Sequence, residues 1–252
     1  MCSNFKILTM VLIVSALFGC SPSFAIPVDT ELSLMVDLSS DVSASELNLV
    51  KQGFFNAFTD QGVIDNIQSG PLGKIAVNLV YWSGATQQKE AVGWNLISDA
   101  LSAQSFGQAV LNVSRPFSGA TAIGSAIDFA QQSMLNNAYE GTNKIMNISG
   151  DGRQTVGLNL AQARAAAELQ GITLNGLVIG NQSLLEWYEG NVITGDGFAL
   201  RVDSYTGFKD AIREKLLKEI PFSHTAAVPE PASLVLLAGG MTALIGFKKR
   251  QA

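Results

Sequence analysis

Two eight-residue runs, Ile75–Trp82 and Ile172–Ile179, are apolar almost throughout. Each has the length of a strand, and neither alternates apolar with polar residues as a half-exposed strand does. Both therefore read as strands buried on two faces, the signature of a sheet covered by helices on each side. The segments between and around them support this. Leu32-Ser33-Leu34-Met35-Val36 is a short apolar run ending at Asp37, and 144–148 and 198–202 are strand-like. Residues 91–96 read as an antiparallel edge strand. Residues 46–58 place Leu47, Val50, Phe54 and Phe58 at helical spacings of three and four. Further helical patterns cover 97–110, 122–134, 158–169 and 207–220. Strands alternating with helices define an α/β fold, a doubly wound, mostly parallel sheet with helices on both faces. We place this domain at 28–221, a short linker at 222–228, and no internal repeat.

Composition narrows the chemistry. The two cysteines, Cys2 and Cys20, lie at the N-terminal end, and the one histidine is His224 in the linker. A chain cut after Ala25 has no disulfide, thiolate metal site or cysteine nucleophile. A histidine-rich zinc site is excluded, and a Ser-His-Asp triad would have to use His224, beyond the last helix of the core. Residues 26–231 carry 12 basic and 21 acidic side chains, a net charge of −9. Such a surface repels phosphate backbones, so nucleic acid is not an expected partner.

Both ends read as addresses. Lys6, an apolar stretch at 7–18 and Ser23-Phe24-Ala25 form a signal peptide over 1–25. Leu17-Phe18-Gly19-Cys20 offers an alternative lipobox, with bulky Phe18 against it. At the other end, Val228-Pro229-Glu230-Pro231 precedes an uncharged stretch at 232–247 and then Lys248-Lys249-Arg250. The stretch is somewhat short of the ~20 residues of a comfortable membrane helix, and the basic cluster belongs on the cytoplasmic side. An ordinary C-terminal anchor would look similar. The three parts in this order over 229–252 resemble the PEP-CTERM sorting signal of Gram-negative bacteria. That resemblance implies processing by an exosortase-type enzyme, membrane insertion through the short helix before cleavage, and delivery to the cell surface or extracellular matrix.

Three segments at expected strand ends carry the candidate site: Asp37-Leu38-Ser39-Ser40-Asp41, Ser118-Gly119-Ala120-Thr121-Ala122-Ile123-Gly124 and Ser149-Gly150-Asp151-Gly152. In doubly wound sheets ligands bind at the carboxyl ends of the strands. Carboxylates and hydroxyls are hard donors that suit Mg²⁺, Mn²⁺ or Ca²⁺. On these residues the sequence resembles a von Willebrand factor type A domain, in an uncharacterised bacterial branch. Gln52-Gly53, Tyr81-Trp82-Ser83-Gly84, Gly93-Trp94 and Asn175-Gly176-Leu177 extend the likeness from Val36 through Ile220. The resemblance implies a metal-ion-dependent adhesion site holding one divalent cation, Mg²⁺ first and Mn²⁺ or Ca²⁺ next. Asp37 and Ser39 match the first positions of its Asp-x-Ser-x-Ser motif, Thr121 its threonine and Asp151 its final aspartate. Asp41 stands where the motif has serine. It can still bind a cation, but it adds negative charge.

A second register, Asp41-Val42-Ser43-Ala44-Ser45, is a complete motif match. The first is preferred because the apolar strand ends at Asp37 and because Ser43-x-x-Glu46 reads as a helix capping box. Turn and cap chemistry is the plain alternative for each loop taken alone. Gly150-x-Gly152 lacks the spacing of a phosphate-binding loop. Trp82 and Trp94 read as core; Trp187-Tyr188 lies in a polar stretch that admits exposure, with packing over the sheet edge as the default reading. The expectation is an exported, non-enzymatic binding module whose cation engages an acidic protein or polysaccharide. Two alternatives stand beside it: a structural matrix protein with a degenerate site, and a metal-assisted hydrolase with Asp41 as base.

Overall fold

The computed structural model describes residues 25–220. The sequence readings at 1–24 and 221–252, including the signal peptide, the linker and the sorting tail, lie outside the described residues. Six strands form one sheet: β1 (Ile26–Asp37), β2 (Ile75–Trp82), β3 (Gln88–Ile97), β4 (Tyr139–Gly150), β5 (Ile172–Ile179) and β6 (Ala199–Val202). Their order is β3-β2-β1-β4-β5-β6. All neighbours are parallel except the edge strand β3, which runs antiparallel to β2. The helices are α1 (Ala44–Phe58), α2 (Gln61–Ser69), α3 (Ala100–Asn112), α4 (Ile123–Leu135), α5 (Leu160–Leu169), α6 (Gln182–Asn191) and α7 (Phe208–Glu219). Among the described residues no helix is long and apolar enough to cross a membrane.

The period-two geometry of a strand divides the core into two layers. Leu32, Leu34 and Val36 of β1 and Val77, Leu79 and Tyr81 of β2 face one layer, with Leu47, Val50, Phe54 and Phe58 of α1, Phe106 of α3 and Phe208 of α7. Met35, Val80 and Trp82 face the other, with Ile123, Ile127 and Met134 of α4, Ala167 of α5 and Tyr188 of α6. Aromatic edges lock the first layer: the Phe54 and Phe208 rings lie 5.4 Å apart and the Phe58 and Phe106 rings 4.9 Å, both T-shaped. The α1–α7 crossing needs Gly53, where a Cβ would sit 2.6 Å from the Phe208 ring.

One buried polar network ties α7 to the sheet. Glu219 accepts hydrogen bonds from Asn147 Nδ2 of β4 (2.8 Å) and Asn175 Nδ2 of β5 (2.9 Å), and pairs with Lys215 one turn earlier on its own helix. Both charged side chains are fully buried. Burial pushes the Lys215 ammonium below its usual range, and the Glu219 carboxylate opposes that shift.

Two helices were not expected. In α2 only Val63, Ile64, Asn66 and Ile67 are buried, too short a run for a clear periodicity. Its start is set by Asp60, whose side chain accepts from Gly62 N and Val63 N. In α6 only Leu184 and Tyr188 are buried, and Asn181 caps it through Leu184 N. β1 and β4 also reach further back than the runs read from the sequence, because their first halves pair with each other from Ile26↔Tyr139 onward.

Strand order fixes where a site can form. From β1 the chain winds first towards β2 and β3, then returns to the other side of β1 for β4, β5 and β6. The carboxyl ends of β1 and β4 therefore flank the topological switch point, where connections leave in opposite directions and open a crevice. Asp37 is the last residue of β1, and Asp151 follows the last residue of β4.

Candidate metal centre

Asp37 is buried at the mouth of the sheet, and its Oδ1 accepts from the Ser39 amide at 2.7 Å. That bond folds the chain sharply after β1 and turns Ser39 back towards the crevice. Ser40 N then donates to Gly119 O at 2.8 Å, and Ser39 bridges to Gly119 as an isolated parallel pair. The second loop is thereby stitched to the first. Ala122 N bonds Ser83 O at 2.9 Å, which seats Thr121 beside the end of β2, just before α4. The third loop closes over both. Thr155 N donates to Thr121 O at 2.8 Å, and Thr121 N to Thr155 Oγ1 at 3.2 Å. A Cβ at Gly152 would lie 3.5 Å from Thr121 Oγ1, and one at Gly150 would lie 3.4 Å from Asp37 Oδ2. The β4 loop thus runs within contact distance of both other loops.

Asp37, Ser39, Thr121 and Asp151 come together around this crevice. Asp41 is exposed on its rim, within electrostatic reach: its charge acts on both Asp37 and Asp151. Ser43 is taken up elsewhere. It caps α1 in a capping box, with Glu46 N donating to Ser43 Oγ and Ser43 N to Glu46 Oε2.

Several buried oxygens at the crevice lack a protein hydrogen-bond partner: Asp37 Oδ2, Ser39 Oγ, Asp151 Oδ1 and, one residue before Gly150, Ser149 Oγ. Buried polar atoms are nearly always paired, so orphans gathered at one place require an explanation. Burial pushes the Asp37 carboxyl up to about 8; the Ser39 amide and, more weakly, the nearby Ser39 hydroxyl oppose the shift, and the charges of Asp151 and Asp41 add to it. Asp151 is also raised, first by burial and then by Asp41, against a hydrogen bond from Tyr205. Carboxylates in such a crevice are costly unless a proton or a cation neutralises them. Among the described residues no three His, Cys, Asp or Glu side chains converge closely enough to hold an ion by themselves. The donor set here is mixed, a buried and a half-buried carboxylate with hydroxyls from two loops, which suits a small, hard cation that keeps part of its water.

Three further groups shape the site and carried no signal in the sequence. Tyr205 OH donates to Asp151 Oδ2 at 2.9 Å, fixing that carboxylate from the turn before α7. Tyr188 is fully buried beneath the crevice and donates to Gly152 O at 3.2 Å. Arg115 lies behind the first loop and donates to the carbonyls of Leu38 (2.7 Å), Ser39 (2.8 Å) and Val42. Trp82 is fully buried, as expected, with its ring edge near Gly150. Trp94 is half-buried, its indole N–H on Ser133 Oγ at 2.9 Å.

The sheet order is that of a doubly wound α/β fold, and the fold is similar to those of solved von Willebrand factor type A domains. Proximal thread matrix protein 1 from the mussel byssus, in a structure with a zinc-occupied metal-ion-dependent adhesion site, is similar at TM-score 0.55 and 16% identity, over 78% of this chain and 48% of that one. The pilus adhesin SpaC from Lactobacillus rhamnosus GG is similar at TM-score 0.57 and 14% identity, over 78% and 31%. A von Willebrand factor type A protein from Catenulispora acidiphila is similar at TM-score 0.53 and 17% identity, over 77% and 43%. At these identities the likeness is one of fold, and the chain spans less than half the length of each of these proteins. No curated protein matches the sequence. Residues 27–224 match the family described as "Protein of unknown function (DUF1194)", and the chain belongs to that family.

Proposed function

We propose that this domain is an exported, non-enzymatic binding module that uses one divalent cation to engage an acidic group on a protein or polysaccharide. The observation that carries the reading is the set of orphaned buried oxygens on Asp37, Ser39 and Asp151 at the switch point. Asp37, Ser39 and Thr121 would hold the cation, with Asp41 and Asp151 beside them, and Mg²⁺ fits this small oxygen set first. Bound there, the cation supplies a positive centre that an acidic ligand completes. The chain's own residues do the rest. Ser39 N holds one Asp37 oxygen and leaves the other free, Tyr205 does the same for Asp151, and the three stitched loops keep the hydroxyls in place. The mussel protein with zinc at such a site and the pilus adhesin are consistent with this reading.

Calorimetric titration of the purified protein with Mg²⁺, Mn²⁺ and Ca²⁺ tests it. Binding is expected, with loss in Asp37→Ala and retention in Asp41→Ser. Normal binding by Asp37→Ala together with loss in Asp41→Ala would establish the 41–45 register instead. The exposed Asp41, in place of the motif's serine, favours a second reading, a structural matrix component that takes up no cation, and absence of binding by the unchanged protein would select it. We further propose that the tail at 229–252 is a sorting signal cut by an exosortase-type enzyme, which delivers the domain to the surface or matrix. Intact-mass measurement in the native host should show loss of everything after roughly Glu230; full-length protein held in the inner membrane would refute it.

A further inference from the structure

We infer that Arg115 is the positioning residue of the candidate cation site, and that its grip makes the site prefer Mg²⁺ and Mn²⁺ over Ca²⁺. This inference rests on the cation reading above. The half-buried guanidinium uses Nε, Nη1 and Nη2 together: Nε donates to Phe117 O at 3.0 Å, Nη1 to Val42 O, and Nη2 to Leu38 O and Ser39 O. Four carbonyls from two loops therefore meet one rigid, planar donor set. Among the described residues Arg115 forms no ion pair. Its charge faces only backbone dipoles, on the far side of a loop whose side chains include Asp37, Ser39 and Asp41.

The backbone accounting shows why this matters. Leu38, Ser39 and Val42 are buried, and buried carbonyls without a partner are strongly disfavoured. Without the guanidinium the Leu38 and Val42 carbonyls would lose their partner and turn towards water, and Ser39 O would keep only the Val42 amide at 3.1 Å. Ser39, whose Oγ is one of the orphaned oxygens, would turn with them. A lysine keeps the charge, but a single ammonium on a flexible stem cannot reproduce the planar fork across four acceptors. The consequence for ion choice follows from coordination chemistry. Mg²⁺ demands near-ideal octahedral placement at short distance, while Ca²⁺ accepts variable, longer geometry. A loop clamped from behind favours the smaller ions, and a slack loop loses that preference.

The experiment measures Mn²⁺ and Ca²⁺ dissociation constants for the unchanged protein and for Arg115→Lys, with amide hydrogen exchange in chelator. Loss of an outer-shell partner typically weakens a metal about 10- to 100-fold. Mn²⁺ affinity should fall by about that much in Arg115→Lys and Ca²⁺ affinity distinctly less, so the ion preference collapses. In the metal-free unchanged protein the Ser40 and Val42 amides should be protected. In Arg115→Lys they should exchange about tenfold faster, while Leu34 and Val36 amides of β1 stay as they were, which separates local slackening from general instability. Equal loss for both ions, or no loss, would overturn the inference while leaving the cation reading intact. So would loop amides that already exchange freely in the unchanged protein, a result that needs no variant to fold. If the unchanged protein binds neither ion, both readings fall together.

Discussion

Asp37 carries a large electrostatic cost. A carboxyl raised to about 8 holds a proton in the folded, metal-free protein across a pH range where the unfolded chain, at about 3.9, has lost it. Folding then binds more protons than unfolding between those values, so metal-free stability should fall as pH rises from about 4 to about 8. Melting in chelator at pH 5 and pH 8 checks the sign: the midpoint should be higher at pH 5, and Asp37→Asn should flatten the dependence. A cation replaces that proton, so its apparent affinity should rise over the same range, with proton release visible in buffers of different ionisation enthalpy. Gly150 is the second sensitive position. A Cβ there would lie 2.6 Å from the Tyr188 hydroxyl and 3.4 Å from Asp37 Oδ2, in a region with no slack. Gly150→Ala should cost about 1–3 kcal/mol by overpacking and weaken cation binding as well, measured by denaturant titration and calorimetry on the same sample.

At the scale of elements, α7 depends on two polar attachments of different kinds. Asp60 caps α2 and pairs with Arg213 of α7 at 2.7 Å, and that partner holds its carboxyl below the usual range. A depressed carboxylate contributes stability that is present above its unfolded pKa and lost as pH falls through its folded one, so this contribution disappears in acid below about pH 4. The pair is partly exposed, so its share is small; Asp60→Ala should cost about 1–2 kcal/mol, mostly the cap. The Lys215–Glu219 pair is wholly buried, and the opposite logic applies. Lys215→Met leaves a carboxylate in the core and should cost about 3–5 kcal/mol, while Lys215→Met with Glu219→Gln should recover part of it. Denaturant midpoints for the three proteins test that order. The same contrast explains what the sequence made legible. β2 and β5 were readable to the residue because nearly continuous apolar runs begin and end with the strand. The placing of Asp37 and Asp151 at the mouth of the sheet was readable because apolar runs mark the ends of β1 and β4; Thr121 lies in the loop before α4. α2 and α6 were not, since a few buried residues make too weak a period. Arg115, Tyr188 and Tyr205 were not, because their bonds to the site span 36 to 77 residues and leave no local pattern.

For the molecule as a whole, cation uptake should register as global stability. A ligand of the folded state alone adds about 2.7 kcal/mol at a hundredfold excess over its dissociation constant. At roughly 2–4 °C per kcal/mol for a domain of this size, the loaded protein should melt about 5–10 °C above the protein in chelator. That gap should narrow in Thr121→Ala and in Asp151→Asn; identical curves with and without Mg²⁺, Mn²⁺ and Ca²⁺ would count against an occupied site. The strand order sets when the crevice comes into being. β1 lies at the centre of the sheet, yet it waits for β4, whose first residue pairs with its own first residue 113 positions away. Closing a contact of that span is slow, so β1 to β3 can assemble as a unit well before the second half docks. Asp37 belongs to the first unit and Asp151 to the second, so no early intermediate owns a complete crevice. An ion that needs both can act only once the two halves have docked. Stopped-flow refolding should therefore proceed at the same rate with Mn²⁺ or with chelator, while unfolding slows in Mn²⁺, making the ion a latch on the finished sheet with no part in its construction.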